Sequence, residues 1–330
     1  MTPQFGWALT TDRLAVTRDA GTTWATATPP GITAAQLATV FFLDASHGWA
    51  VAPGARTLTT PVGTELQLFR TSDGGTTWTR TTAGRTLWGS PGSMLFTFFD
   101  QQHGWLEIAL EGSPLAAPSQ LLATDDGGAT WRAMPMIGRG AIRFSSTKVG
   151  WLASNGYARG GRLLRTVDGG VSWTDVSPAI PTSHSGTRAL FTTPRMFDLN
   201  TGALFVSYSQ DHSPSTAPGF SFFVTRDGGA TWSIAIDEVS SAPFVADAPH
   251  AFAIADANHW AVIIDGQLKT TADGGRSTRR ATAVGLSATV AGVDFVSGSL
   301  GWALSITGTT AIGQLLRTTD GGATWTPVAP

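Results

Sequence analysis

The chain has no cysteine among its 330 residues, so disulfides, thiolate catalysis and cysteine-ligated metals are all excluded. Charge is scarce as well: Asp, Glu, Lys and Arg make up 13% of the residues, and the net charge is −2. The positive charge is almost wholly arginine, 19 against Lys148 and Lys269. That balance fits neither a general nucleic-acid binder nor a polybasic membrane anchor. No apolar run approaches the roughly 18 residues of a spanning helix, so no transmembrane segment is expected. The opening MTPQFGWALT shows no signal peptide. Helical periodicity is missing throughout, and 39 glycines and 18 prolines leave little room for long helices. Nowhere does a G-x-S-x-G, H-E-x-x-H or P-loop string occur. The six histidines do not cluster at metal spacings, so no metal and no cofactor are expected.

What is present is repetition. A pattern Ser/Thr-x-Asp-x-Gly-x-Thr/Ser-Trp occurs seven times, with its aspartates at Asp19, Asp73, Asp126, Asp168, Asp227, Asp273 and Asp320. Six copies end in tryptophan: Trp24, Trp78, Trp131, Trp173, Trp232 and Trp325. The copy TADGGRST carries Thr278 there and is degenerate. A second motif alternates with it: an apolar stretch, a polar turn, then Gly-Trp and more apolar residues, as in FFLDASHGWAV and FTFFDQQHGWLEI. Its tryptophans are read as Trp7, Trp49, Trp105, Trp151, Trp260 and Trp302. Only Trp88 of the 13 tryptophans stands outside both motifs.

The aspartates recur at intervals of about 50 residues, which suits a four-stranded antiparallel sheet. Seven such units predict an all-β fold, a seven-bladed β-propeller filling residues 1–330 as a single domain. The first unit starts at Gly6-Trp7 and lacks its first strand, so 27 strands are expected. In each repeat the aspartate is expected to be buried or half-buried. It accepts hydrogen bonds from N–H groups two or three residues on, while glycine supplies positive φ and the tryptophan fills the gap between blades. Seven equivalent aspartates are architecture, because catalysis needs one or two carboxylates in one pocket. Asp44, Asp100, Asp198 and the arginines Arg70, Arg165 and Arg317 receive the same structural reading.

These residues resemble the Asp-box, or BNR-repeat, propellers. The alternation of Gly-Trp strands with T-x-DGG-x-TW boxes is most similar to the bacterial photosystem II stability/assembly factor-like (YVTN/BNR-like) branch. The resemblance implies an Asp-box turn in every blade and an extracytoplasmic protein that binds partners as a scaffold, with its targeting segment outside this chain. Sialidases, xyloglucan hydrolases and sortilin-type receptors share the box, so it does not specify chemistry.

Antiparallel alternation places the short turns between strands 1–2 and 3–4 on one face and the long, irregular connections on the other, where function is expected. The candidate binding residues there are Trp88, Arg80, Arg85, Tyr157, Arg159, Tyr208 and His212, with Asp175, His184 and Arg188 nearby. The leading expectation is a non-enzymatic, monomeric, exported module that recognises a protein or glycan. The alternative is a glycoside hydrolase or polysaccharide lyase, which needs two facing carboxylates from among Glu107, Glu111, Asp211, Asp237 and Glu238. A sialidase fits least: Arg-Ile-Pro is absent and Tyr157 and Tyr208 are the only tyrosines. The third reading is a structural surface component without a ligand.

Overall fold

The computed structural model describes residues 4–57, 63–85, 91–110, 119–135, 138–155, 160–209, 219–239, 252–264, 267–282, 284–286, 290–306 and 313–328. Seven antiparallel sheets follow one another along the chain as the blades of a seven-bladed β-propeller. Blade 1 is β1 (Gly6–Leu9), β2 (Leu14–Thr17) and β3 (Ala25–Thr26); blade 2 is β4 (Thr39–Phe42), β5 (Gly48–Thr57), β6 (Gly63–Thr71) and β7 (Thr79–Arg85). Blade 3 is β8 (Pro91–Phe98), β9 (Gly104–Leu110), β10 (Gln120–Thr124) and β11 (Arg132–Met134); blade 4 is β12 (Gly140–Phe144), β13 (Gly150–Ser154), β14 (Arg162–Thr166) and β15 (Thr174–Asp175). Blade 5 is β16 (Arg188–Phe191), β17 (Arg195–Met196), β18 (Gly202–Ser209), β19 (Gly219–Thr225) and β20 (Ser233–Val239). Blade 6 is β21 (Phe252–Ile254), β22 (Trp260–Ile264), β23 (Gln267–Thr271) and β24 (Arg279–Thr282). Blade 7 is β25 (Val290–Phe295), β26 (Gly301–Ile306), β27 (Gly313–Thr318) and β28 (Thr326–Pro327).

Among the described residues blade 1 has three strands, as expected. Among the described residues 28 strand segments occur instead of 27, because the first strand of blade 5 is broken: β16 and β17 both pair with β18. Pro194 lies in the break and has no N–H to give the ladder. The chain divides into two compact units, Met1–Ala158 with Arg165–Thr174 and Pro330, and Arg159–Leu164 with Asp175–Ala329.

Within each unit the core lies between the faces of successive sheets. In the first unit, Trp49 of blade 2 stacks on Phe98 of blade 3 with ring centroids 3.7 Å apart, and Phe98 meets Trp131 edge-on. The next interface repeats this with Trp105, Phe144 and Trp173. Phe42 bridges Trp7 and Trp78 more loosely. A rule follows that links residue to packing: the phenylalanine ending the first strand lies across the glycine of Gly-Trp six residues on. A Cβ on Gly104 would stand 2.4 Å from the Phe98 ring, so only glycine fits.

The box turns, T-x-D-G-G in six blades and T-x-D-A-G in blade 1, are built alike in all seven. The threonine hydroxyl donates to aspartate Oδ1 at 2.8 Å and accepts the N–H of the glycine two residues beyond the aspartate at 2.8–2.9 Å. The Thr/Ser four residues beyond the aspartate gives its N–H to Oδ1 and its hydroxyl to Oδ2. This corrects the expected burial and spacing. Asp126 is exposed, its main N–H donor stands four residues on at Thr130, and the buried member is the threonine, Thr124. Hydroxyl and N–H donors hold all seven carboxyls at about 2, well below the ordinary value. The residue after each aspartate also donates its N–H to the carbonyl of the same blade's neighbouring turn, as Gly127 does to Gln102. That places both short turns at one end of each blade.

Candidate functional site

The other connections leave from the opposite blade ends. In blade 5, the register sets Ser221 of β19 opposite Asp237 of β20, with Tyr208 on β18. A single 3-10 turn, Thr182–His184, lays Ser183 and His184 over them. Ser183 Oγ donates to Asp237 Oδ2 at 2.5 Å and Ser221 Oγ to Oδ1 at 2.6 Å, while Tyr208 donates to Ser221 at 3.0 Å. His184 Nε2 stands 3.1 Å from Asp237 Oδ1, and its ring stacks on Tyr208 at 3.9 Å. Gly219 permits this approach, since a Cβ there would meet the His184 ring at 2.7 Å.

The cluster contains serine, histidine and aspartate without forming a nucleophilic relay. Both hydroxyls donate to the carboxylate and neither to the imidazole, so the histidine is not placed to take a serine proton. Tyr208 and His184 are buried. Burial pushes the Asp237 carboxyl up, but the bonds from Ser183 and Ser221 and the adjacent His184 imidazole outweigh it and hold it below the ordinary value. Burial pushes the Tyr208 phenol up to about 12, so it stays neutral. These bonds form a clasp that docks the blade 4–5 connection onto blade 5.

The remaining candidates separate. Glu107 on β9 is 3% exposed, and its Oε1 accepts the Gly140 N–H at 3.0 Å. Burial raises its carboxyl above the ordinary range. Glu238 neighbours Asp237 on β20 but is ion-paired with Lys269 and Arg280 of blade 6. Arg80 is exposed on β7, paired in register with Phe69. Arg85 ends β7, and its side chain lies outside the described residues. Trp88, Tyr157, Arg159, His212, Glu111 and Asp211 also lie outside them. Tyr208, expected as a contact residue, is buried and committed to Ser221 instead. Sequence reasoning missed Ser183 and Ser221, which belong to no repeat. Among the described residues no three His, Asp or Glu side chains converge as a metal site needs.

No family model and no curated protein matches this sequence. Solved structures do match its fold. YCF48 bound to D1 peptide is 19% identical, with a TM-score of 0.54 over 88% of this chain and 80% of that one. An ulvan lyase bound to a GlcA–Rha3S saccharide is 10% identical, with a TM-score of 0.51 over 86% and 82%. A puromycin-hydrolyzing peptidase of Mycobacterium tuberculosis is 11% identical, with a TM-score of 0.59 over 99% of this chain and 52% of its own length. Binding proteins and enzymes thus share this architecture, and at these identities the likeness is one of fold alone.

Proposed function

We propose that this chain is a non-enzymatic Asp-box propeller, a single domain acting as an exported monomer, that captures a protein partner through the connections opposite its T-x-D-G-G turns. One observation carries the reading: every described candidate carboxylate is consumed internally. Glu107 is buried on a backbone N–H, Asp237 is bound by two serines and a histidine, and Glu238 is held by two cations. A glycosidase or lyase instead needs a pair open to a sugar-sized cleft. A neighbour of the same fold holds a peptide, which supports a protein as partner. The extracytoplasmic location rests on the motif resemblance.

Trp88, with Arg80 and Arg85, is assigned to the contact surface, since no repeat requirement explains it and tryptophan and arginine dominate interface energetics. Affinity capture of partners from the native host, compared between the wild type and Trp88→Ala, tests this. Capture should fall about tenfold or more with an unchanged melting temperature. A variant that unfolds, or that captures the same partner equally well, removes Trp88 from the interface.

A further inference from the structure

Blade 6 departs from the repeat in a way that leaves a site. Register pairs Gly48 with Thr71, Gly104 with Thr124 and Gly202 with Thr225, but in blade 6 Thr271 pairs with Trp260. Trp260 therefore occupies the glycine position and Ala261 the tryptophan position, one residue away from the sequence assignment. Side chains alternate along a strand, so Trp260 faces blade 5, where it stacks on Phe222 at 5.3 Å. The three aromatic positions of the earlier interfaces are held here by Ala203, Ile254 and Thr278. Trp260 fills part of the vacated space and covers Gly275 from within.

The rest is open. A cleft of about 470 Å³ lies between blades 5 and 6 on the T-x-D-G-G side, walled by Phe197, Val224, Ile234, Ala235 and Trp260. Ile234 is 51% exposed. Gly275 is half-open, whereas its counterparts Gly75, Gly128, Gly170, Gly229 and Gly322 are buried. The comparable cleft between blades 2 and 3 keeps its aromatic stack and is lined mainly by polar groups. Arg226 and Arg276 stand at the blade 5–6 cleft, exposed, their guanidinium groups without a hydrogen bond or ion pair among the described residues. Arg18, in the same repeat position as Arg226, instead bonds the carbonyls of Asp73 and Gly74 in the next blade. Asp273 also lines the cleft, but its carboxylate is spent on Thr271 and Ser277.

We propose that this cleft receives an aromatic side chain from an acidic segment of a partner protein, seated where other repeats seat their own tryptophan. The chain itself shows the mode of recognition. In four repeats the box indole N–H donates to the carbonyl of the glycine three residues before it, Trp131 to Gly128 for example, and in three of them, at Gly128, Gly170 and Gly322, the ring lies against that glycine. A guest indole meets an apolar wall, and the two free arginines meet its acidic neighbours and its π face. The volume is within the range of small-ligand pockets. The site lies at the blade end opposite the connections proposed above, so each stands or falls alone.

The test uses the full chain and three capped peptides, Glu-Trp-Glu-Glu, Glu-Ala-Glu-Glu and Lys-Trp-Lys-Lys, in calorimetry and peptide-detected NMR saturation transfer. Only the first should bind. Thr278→Trp, which restores the repeat's own ring, should weaken binding about tenfold or more without lowering the melting temperature. Ile234→Glu, on an exposed wall, should weaken it likewise, and Trp88→Ala should not. Absence of binding by the acidic tryptophan peptide overturns the proposal. So does equal binding of the alanine peptide, or unchanged binding to both Thr278→Trp and Ile234→Glu.

Discussion

At the scale of single residues, the seven turns distinguish what the motif states from what it hides. Aspartate is the conspicuous letter, yet the buried anchor is threonine, whose hydroxyl both gives to the carboxylate and receives a glycine N–H. Thr124→Val keeps the shape and strands the buried Gly128 N–H. It should cost about 1–3 kcal/mol in denaturant unfolding. Ala20 makes the complementary case. It takes the slot of Gly74 and Gly127 with φ +60, the one non-glycine residue described with positive φ. Ala20→Gly should therefore raise stability by about 0.5–1 kcal/mol, relief of left-handed strain exceeding the added freedom of the unfolded chain.

At the scale of elements, the turn carboxylates set the response to acid. Each is held at about 2 in the fold against 3.8 without it, so unfolding near pH 3 takes up protons. A depressed carboxyl contributes stability that is full above its unfolded value and lost as pH falls through the folded one. The melting temperature should thus hold steady down to about pH 5 and drop steeply between about pH 4 and 2, with Glu107 opposing the trend because burial raises it. A flat profile through that window removes the carboxylates from the turns' energetics. Strand order, the three described strands of blade 1 and the turn positions were legible because the repeat imposes one physical constraint on each unit. The break at Pro194 was legible too, had the proline been weighed against the ladder. Trp260 was misplaced because a Trp-Ala pair looks like Gly-Trp until it is counted six residues from Ile254. The clasp of Ser183, His184, Ser221 and Asp237 was not legible, since no repeat constrains it and only folding brings positions 53 residues apart together.

At the scale of the molecule, each blade has a stereotyped end and an individual one, and chemistry belongs where repetition is released. The blade 5–6 cleft is the exception on the stereotyped end, and it arises where three aromatic positions lapse together. The described carboxylates that suggested an enzyme, Glu107, Asp237 and Glu238, are bonded within the frame. The direct test is to incubate purified protein with ulvan and a panel of other acidic and neutral polysaccharides, following new reducing ends and unsaturated products. Wild type, Glu107→Gln and Asp237→Asn should all release nothing, and Asp237→Asn should melt earlier because it loosens the clasp. Product formed by the wild type, and abolished by either substitution at an unchanged melting temperature, would contradict the assignment of these carboxylates to structure.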